Sequence, residues 1–219
     1  MIPDRKAFIR ANTRLKPVPH VPEISLHVAE ESVPIWQKTE EELEAMGLPP
    51  PYWAFAWAGG QALARYILDH PQEVAGKRVL DLAAGSGLVA IAAAKAGAIA
   101  VAVDIDAFTE GAIHLNAEAN DVYVDVVLRD MLDDQPTAQP RHDVILVGDL
   151  FYERDTAARA LAFLSRHAAG GVRVLVGDPG RTYLPTDRLT RLAEYAVPVT
   201  RELEDMEIKR TVVWEFRPQ

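Results

Sequence analysis

The sequence contains no cysteine among its 219 residues. This absence excludes disulfides, thiolate-bound metal sites and cysteine nucleophiles, and it suits a reducing compartment. No apolar run approaches the length of a membrane span, and the first residues lack the hydrophobic region of a signal peptide. We therefore expect a cytoplasmic protein with no membrane association.

Signatures of several other protein classes are missing as well. The six histidines show no ligand spacing, so we predict no metal site, and no Gly-x-Ser-x-Gly nucleophile elbow is present. Basic residues are outnumbered by acidic ones, 23 against 32, which gives a formal net charge of −9. This balance argues against a general nucleic-acid binder and favours a basic or lysine-bearing partner surface.

The most informative stretch is residues 79–91, a short apolar strand followed by a turn with two glycines and an alanine-rich helix that runs to about Ala96. Gly85 and Gly87 let the backbone turn sharply and let a ligand approach closely, while the N–H groups of the new helix point at that ligand. The pattern predicts a nucleotide site. Residues 85–90 formally fit the dinucleotide fingerprint, whose third glycine can be alanine.

Asp81 helps to choose between the possible nucleotides. A fixed carboxylate just before the glycines repels a pyrophosphate, but it suits a ligand that carries an ammonium and a sulfonium, such as S-adenosylmethionine. The alternative is an ordinary strand–turn–helix unit in which Asp81 only caps the helix. Asp104 closes the next apolar strand at about the 20-residue interval expected for a carboxylate that holds ribose hydroxyls, which both NAD and S-adenosylmethionine require.

Apolar strands alternate with helical segments in the way that a parallel sheet with covering helices requires. We predict strands at residues 78–82, 98–104, 123–129, 144–148 and 172–176, with helices at about 107–120 and 156–168. After a helix from Asp187 to about Tyr195, residues 197–203 and 209–216 alternate in polarity and predict an antiparallel hairpin. The sheet would then have seven strands.

Four carboxylates follow the strands of this predicted sheet. Ligands of open α/β sheets bind outside the carboxyl ends of the strands, near the point where the strand order reverses. Asp81, Asp104, Asp130 and Asp149 all fall at such ends, so we expect them to share one edge. Asp130 is placed to accept a hydrogen bond from an adenine amino group, and a turn-initiating aspartate explains it equally well.

An aromatic cluster precedes the first of these strands. Tyr52, Trp53, Phe55 and Trp57 lie within six residues and are followed by two glycines and a helix. The cluster is typical of one wall of a pocket, and core packing is the alternative. We divide the chain into an N-terminal extension, residues 1–50, that packs on the core, and a main domain of residues 51–219. The extension includes a predicted helix that begins at Thr39.

With these residues placed, the chain resembles the seven-strand methyltransferases and, within them, the family of electron transfer flavoprotein beta-subunit lysine methyltransferases. The resemblance runs from about Phe8 to the C-terminus, and it departs at Ala83, where many relatives carry glycine. The motifs that carry it are residues 51–54 with Trp57, 59–63, 81–87, 104–106, 148–152, 177–181 and 213–218.

The resemblance implies a class I methyltransferase fold, a Rossmann-like seven-stranded sheet sandwiched by helices, parallel except for a C-terminal antiparallel hairpin, and S-adenosylmethionine as the cofactor. Residues 149–152 would face an incoming lysine, with Asp149 and Tyr152 as the catalytic residues. The implied cofactor-binding residues are Asp81, Gly85 and Gly87 around the methionine moiety, Asp104 at the ribose, its neighbour Ile105, Asp130 at the adenine, and Trp57 on the pocket wall.

The same resemblance implies the beta subunit of the electron transfer flavoprotein as the protein substrate, with a ribosomal protein or a small-molecule amine as alternatives. An NAD-dependent oxidoreductase is disfavoured by Asp81 and by the lack of an evident catalytic Tyr/Lys or His/Asp pair. A non-catalytic binding module is the remaining alternative.

Methyl transfer to lysine requires a neutral amine. An unperturbed lysine is neutral at pH 7 in about one molecule in 2,500, a penalty of about 4.6 kcal/mol. Apolar walls from Phe151, Tyr152 and the pair Trp53 and Trp57 would disfavour the ammonium, as would an adjacent sulfonium. Asp149 acts in the opposite direction, so we expect it to capture and aim the lysine, which loses its proton to water.

Overall fold

The computed structural model describes residues 4–30, 50–135, 141–199 and 207–218. The predicted helix that begins at Thr39 lies outside these residues. Among the helices within the described ranges, none is long and apolar enough to cross a membrane.

The described chain is built on a seven-stranded sheet with the strand order β5-β4-β3-β6-β7-β9-β8. Strands β3 to β7 pair in parallel, and β9 runs antiparallel to both β7 and β8. The predicted fold class is therefore confirmed. The strands are β3 (Arg78–Leu82), β4 (Ile99–Asp104), β5 (Asp125–Leu128), β6 (Val144–Gly148), β7 (Arg173–Asp178), β8 (Leu189–Pro198) and β9 (Ile208–Phe216).

Helices cover both faces of this sheet. Successive residues of a buried strand point to opposite faces, so that Val79 and Leu146 join one apolar cluster while Leu80 and Ile145 join the other. Burial on both faces explains why these strands read as continuous apolar runs. The helices are α1 (Arg5–Asn12), α2 (Ala58–Asp69), α3 (Leu88–Lys95), α4 (Ala107–Ala119) and α5 (Arg154–Ala169), with short 3₁₀ turns at Tyr52–Ala54, Pro71–Glu73 and Thr186–Arg188.

The strand order reverses between β3 and β6. These two strands lie side by side in parallel register, with Asp81 opposite Leu146 and Leu82 opposite Val147. The chain leaves β3 toward β4 on one side and leaves β6 toward β7 on the other. A crevice therefore opens at their carboxyl ends, between the glycine turn after β3 and Asp149 after β6.

The predicted helix from Asp187 to Tyr195 is wrong. Residues Thr186–Arg188 form a 3₁₀ turn, and Leu189–Pro198 is strand β8, which pairs with β9 from Leu189 opposite Phe216 to Pro198 opposite Ile208. The segment contains leucine, alanine, arginine and glutamate, which suit a helix locally. The backbone hydrogen bonds offered by β9 outweigh that local preference. The antiparallel pairing predicted for the C-terminal strands is present, but its first strand is Leu189–Pro198, where residues 197–203 were expected. Residues 200–203 of that prediction lie outside the described residues.

The N-terminal residues form a helix and a separate two-stranded sheet. Strands β1 (Arg14–Val18) and β2 (Val21–Val28) pair in antiparallel fashion. Asn116 of α4 and Asn120, the residue that caps its C-terminus, bind the backbone of β2: Asn116 Oδ1 accepts from the N–H of His27 at 2.7 Å, and Asn120 Oδ1 accepts from the N–H of Ser25 at 3.0 Å. The hairpin is thereby attached to the main sheet's covering helix. The domain boundary at residue 50 stays a prediction.

Ala83, at the exit of β3, has a left-handed backbone with φ of +57° and an exposed side chain. A Cβ strains this conformation, and glycine does not. Ala83→Gly should raise the free energy of unfolding by about 0.5 to 1 kcal/mol, because relief of the strain exceeds the added freedom of the unfolded chain. Urea denaturation measures the change.

The matched control is Ala84→Gly, one residue along, whose φ is not positive. This variant should lower the free energy of unfolding by about 0.5 to 1 kcal/mol, the ordinary effect of glycine. Equal losses in the two variants would contradict a strained turn at Ala83.

Candidate functional site

A cavity of about 700 Å³ lies at the carboxyl edge of the sheet, where the strand order reverses. It has the size and place expected of a ligand site in an open α/β sheet. The structure brings eight of the nine predicted site residues to its wall: Trp57, Asp81, Gly85, Asp104, Ile105, Asp130, Asp149 and Tyr152.

Gly87, the ninth predicted site residue, lies in the turn and does not line the cavity wall. Its φ is +78°, and a Cβ there would lie 2.8 Å from Cγ1 of Ile113. Gly87 is needed for the turn and for the packing of α3 against α4. Gly85 has a φ of +51°, and a Cβ there would make only ordinary contacts, 3.8 Å from the carbonyl oxygen of Tyr52 and 4.0 Å from the Cα of Trp53.

Asp81 is almost fully buried, with 2% of its surface exposed. Its Oδ2 accepts a hydrogen bond from the N–H of Ala90 at 2.9 Å, so that it caps the first turn of α3. The capping role considered from the sequence is therefore present, and Asp81 also lines the cavity. Burial, with a smaller contribution from the charge of Asp104, raises the pKa of Asp81 to about 7.

Asp104 ties the glycine turn to the end of β4. Its Oδ2 accepts from the N–H of Gly85 at 2.9 Å, and its Oδ1 accepts from the N–H of Asp106 at 3.0 Å. These two bonds fix the carboxylate at the cavity wall, where its remaining lone pairs can meet ligand hydroxyls. Ile105 next to it is 75% exposed, an unusual position for an isoleucine, on the outer part of the same wall.

Asp130, after β5, is both a turn residue and a cavity residue. Its Oδ1 accepts from the N–H of Leu132 at 3.0 Å, and its Oδ2 accepts from Nη2 of Arg159 at 2.8 Å. The backbone hydrogen bond and the guanidinium together lower the pKa of Asp130, so it is ionised at neutral pH. Both explanations considered from the sequence are compatible with this geometry.

Asp149 follows β6 in a left-handed conformation with φ of +54°, which aspartate tolerates better than most residues. Its Oδ2 accepts from the N–H of Gly60 at 3.0 Å, and its Oδ1 accepts from Nη2 of Arg181 at 2.8 Å. Only 8% of the residue is exposed. Asp149 therefore has a fixed carboxylate, aimed by a helix N-terminus on one side and a guanidinium on the other.

Arg181 lines the cavity and Asp178 supports its turn from outside the cavity wall, and neither was among the predicted site residues. Asp178 ends β7 with 1% of its surface exposed, and its Oδ1 accepts from the N–H groups of Gly180 and Arg181, both at 2.7 Å. Burial, with a smaller contribution from Asp149, raises the pKa of Asp178 to about 6. The available signal was its place: like the four predicted carboxylates, it lies at the carboxyl end of a strand.

Tyr52, Trp53, Phe55 and Trp57 all line the cavity, as the sequence predicted for this aromatic cluster. The ring of Tyr52 lies 6.1 Å from that of Trp57 and 5.8 Å from that of Tyr152. Burial raises the pKa of the Tyr152 hydroxyl to about 12, with smaller contributions from neighbouring groups. Tyr152 is therefore a neutral donor at physiological pH.

The prediction that Phe151 forms a wall of the pocket is wrong. Phe151 is fully buried in the apolar cluster beneath α5, with Phe163 and Leu164, and it does not reach the cavity. Consecutive side chains point in different directions, and the neighbouring Leu150 contacts the same apolar cluster and also lines the cavity. The sequence motif did not indicate whether Leu150 or Phe151 faces the cavity.

The position of Asp149 depends on a close backbone approach between α2 and β7. A Cβ on Gly59 would lie 2.2 Å from the carbonyl oxygen of Gly177 and 2.5 Å from Oδ2 of Asp149. No side chain fits there without a shift of the backbone. Because Gly59 and Gly177 have no side chains, α2 lies close enough to β7 for the N–H of Gly60 to reach the carboxylate of Asp149.

Gly59→Ala should therefore lower the free energy of unfolding by about 1 to 3 kcal/mol, the usual effect of overpacking. Gly60→Ala is the matched control, because its Cβ would meet Val89 Cγ2 at a comfortable 3.8 Å. The control should leave stability unchanged or raised by about 0.5 kcal/mol, since alanine favours a helix. Denaturant unfolding of the two variants measures the difference, and equal stabilities would contradict the close approach.

Comparison with known proteins agrees with this architecture. The family model for ribosomal protein L11 methyltransferase (PrmA) matches residues 61–150. The solved ribosomal protein L11 methylase from Lactobacillus delbrueckii subsp. bulgaricus is 20% identical with a TM-score of 0.52, covering 75% of this chain and 81% of that one. Magnesium protoporphyrin IX methyltransferase from Synechocystis PCC 6803 with bound SAH gives a TM-score of 0.52 at 14% identity, covering 74% and 84%. These likenesses establish the fold.

Curated relatives are more similar. Electron transfer flavoprotein beta subunit lysine methyltransferase from Mus musculus is 37% identical over 224 residues, 99% of this chain and 86% of the relative. The Homo sapiens protein of the same name is 35% identical over 99% of this chain and 83% of its own length. The Caenorhabditis elegans homolog is 34% identical over 81% of each chain. The chain therefore belongs to the family of electron transfer flavoprotein beta subunit lysine methyltransferases.

Proposed function

We propose that the protein transfers methyl groups from S-adenosylmethionine to lysine side chains of the beta subunit of an electron transfer flavoprotein. The observation that carries the proposal is the meeting, in one cavity, of the glycine turn after β3 with the carboxylate of Asp149 after β6. The names of the relatives support the protein substrate.

The residues of the cavity fit the donor. Its volume of about 700 Å³ lies within the range of small-molecule sites. Asp81 and Asp104 place negative charge beside the glycine turn, which suits an ammonium and a sulfonium and opposes a pyrophosphate. We assign Asp81, Gly85 and Gly87 to the methionine moiety.

The remaining cofactor assignments follow the cavity wall. Asp104 and its neighbour Ile105 would hold the ribose, since the Asp104 carboxylate is fixed by two backbone N–H groups. Asp130, ionised and on the far part of the wall, would accept from the adenine amino group. Trp57 would cover the donor from the aromatic side.

When bound, S-adenosylmethionine supplies the methyl group: its carbon–sulfur bond breaks, with the electron pair going to sulfur, as the lysine nitrogen forms the new bond. The chain's own residues position the amine. Asp149 aims the lysine, and Tyr152, a neutral hydroxyl at the mouth, provides an amphipathic wall. The proton leaves to water before transfer, and alignment of the reacting atoms supplies most of the acceleration.

The partner is a protein surface that presents lysine, which suits a chain of net charge −9 and does not suit a nucleic acid. We propose the cytoplasm as the compartment, because a chain without cysteine suits a reducing environment. A ribosomal protein is the second candidate substrate, favoured by the family model that matches residues 61–150.

Asp81→Asn should remove a pH dependence of donor binding. The pKa of Asp81 in the protein without donor is about 7, so the carboxylate protonates as the pH falls from 8 to 6 and its attraction for the cationic donor is lost. The ratio of wild-type to variant affinity should therefore rise by about tenfold from pH 6 to pH 8. Calorimetric titration with S-adenosylmethionine measures it.

The asparagine variant is a fair comparison, because its side-chain oxygen can still accept from the N–H of Ala90. Any titration of S-adenosylmethionine itself affects both proteins equally and so cancels in the ratio of their affinities. Since the ionised carboxylate is destabilised by burial, the variant should unfold at the same or a higher temperature than the wild type at pH 8. A constant affinity ratio across this range would contradict the charge role of Asp81.

Asp149→Asn should lower kcat for methylation by about 100-fold or more, because the lysine loses the charge that aims it. Asparagine tolerates the left-handed backbone and can still accept from Gly60, so donor affinity should stay unchanged. The assay follows labelled methyl transfer from S-adenosylmethionine to purified electron transfer flavoprotein beta subunit, with mass spectrometry to identify the modified lysines.

Ribosomal protein L11 and a set of small amines serve as competing substrates in the same assay. Labelling of L11 alone would move the proposal to the second candidate substrate. Full activity of Asp149→Asn would remove Asp149 from the mechanism, and no label on any lysine would overturn the proposed function.

A further inference from the structure

The carboxylate that we assign to the substrate lysine is paired with a cation in the same cavity. Nη2 and Nε of Arg181 donate to Oδ1 of Asp149 at 2.8 Å and 3.2 Å. Both side chains are largely buried, with 9% of the Asp149 side chain and 19% of the Arg181 side chain exposed, and both line the cavity. Water and salt therefore weaken the attraction between these two charges much less than they weaken a surface ion pair.

Arg181 is held in this position from two further directions. The carboxylate of Asp178 accepts from the backbone N–H of Arg181 at 2.7 Å and fixes the turn after β7. The guanidinium also lies over the ring of Trp57, with 5.9 Å between Cζ and the ring centroid. These contacts keep the positive charge on the cavity wall.

A substrate amine that donates to Asp149 must lie close to this guanidinium. Two hydrogen bonds of ordinary length that meet at one carboxylate place their donors within about 7 Å of each other. A like charge at that distance disfavours the ammonium form, whereas Asp149 alone would favour it. The two effects act on the protonation of the same nitrogen with opposite signs.

We propose that Arg181 is a positioning residue that keeps the bound lysine neutral: its guanidinium offsets the attraction of Asp149 for the ammonium, so that Asp149 aims the amine without holding its proton. The ammonium loses that proton to water, and the nitrogen lone pair is then available to form the bond to the methyl carbon. The inference rests on the proposed function and adds to it the means by which the amine is deprotonated.

The other ionisable groups around the pair titrate mainly outside the range from pH 8 to pH 10. The pKa of Tyr152 is raised to about 12, so its hydroxyl stays neutral through most of this range. The carboxyls of Asp178 and Asp81 have pKa values of about 6 and about 7 and titrate below pH 8, so the shift of half-maximal kcat is compared with the profiles of the wild type and a control variant, in which both carboxyls are present. Asp178 interacts electrostatically with both Asp149 and Arg181, and the titratable side chains of Tyr52, Tyr152, Asp81 and Asp104 line the same cavity.

The test is the pH dependence of kcat between pH 6 and pH 10, at saturating S-adenosylmethionine and electron transfer flavoprotein beta subunit, because kcat reports on the bound complex. In Arg181→Gln the pH of half-maximal kcat should rise by roughly 1 to 2 units. The rate at pH 7 should fall by about 10- to 100-fold, and the rate at pH 10 should approach that of the wild type. Arg181→Lys keeps a positive charge and should restore most of the wild-type profile.

Arg191→Gln is the matched control. Arg191 carries the same charge, pairs with Glu194 on β8 and does not line the cavity. Its loss should leave the pH of half-maximal kcat unchanged. Calorimetry with S-adenosylhomocysteine should give the same affinity for the wild type and Arg181→Gln, which separates an effect on the amine from an effect on the donor site.

A fall in kcat by the same factor at every pH, with the half-maximal pH unchanged, would overturn the inference and assign Arg181 a structural role alone. If Arg181→Gln fails to fold, Arg181→Met keeps the aliphatic stem over Trp57 and must give the same shift. A wild-type protein that methylates no lysine would contradict the proposed function instead, so the two failures are distinguishable.

Discussion

The site depends on the contact between two backbones, the first turn of α2 and the end of β7. Gly59 and Gly177 approach so closely that neither tolerates a Cβ. Across this contact the carbonyl of Gly177 accepts from the N–H of Asp149, and the N–H of Gly60 donates to its carboxylate. The packing of α2 on the sheet, the pairing of β6 with β7 and the orientation of the Asp149 carboxylate all depend on the short distance between Gly59 and Gly177.

The carboxylates in the cavity wall and directly behind it differ in charge and availability. Burial raises the pKa of Asp81 and Asp178, whereas hydrogen bonds and Arg159 lower that of Asp130. Asp149 is paired with Arg181. A cationic methyl donor would meet the buried carboxylate of Asp81 beside the glycine turn. The substrate amine would meet the carboxylate of Asp149, whose attraction for a cation is already reduced by Arg181. This difference between the two carboxylates suits a reaction that binds a cationic donor and needs a neutral nucleophile.

Local patterns predicted the parallel part of the fold well. The strands at residues 78–82 and 144–148 were predicted with the bounds that the structure has, because burial on both faces leaves a continuous apolar run. The segment before the C-terminal hairpin was predicted as a helix and is strand β8. Its residues suit either state, and the choice depends on pairing with β9, whose residues follow later in the chain.

The sequence by itself determined the carboxylates at the strand ends, the glycine turn, the aromatic wall and the family, because these features are local in the chain. Only the tertiary structure decided that Phe151 turns into the core, that Gly87 supports packing, and that Arg181 reaches Asp149 from 32 residues away. The charge of a residue is known from the sequence, but its partner depends on which strands come together in folding. The partner determines how strongly that charge acts on a bound ligand.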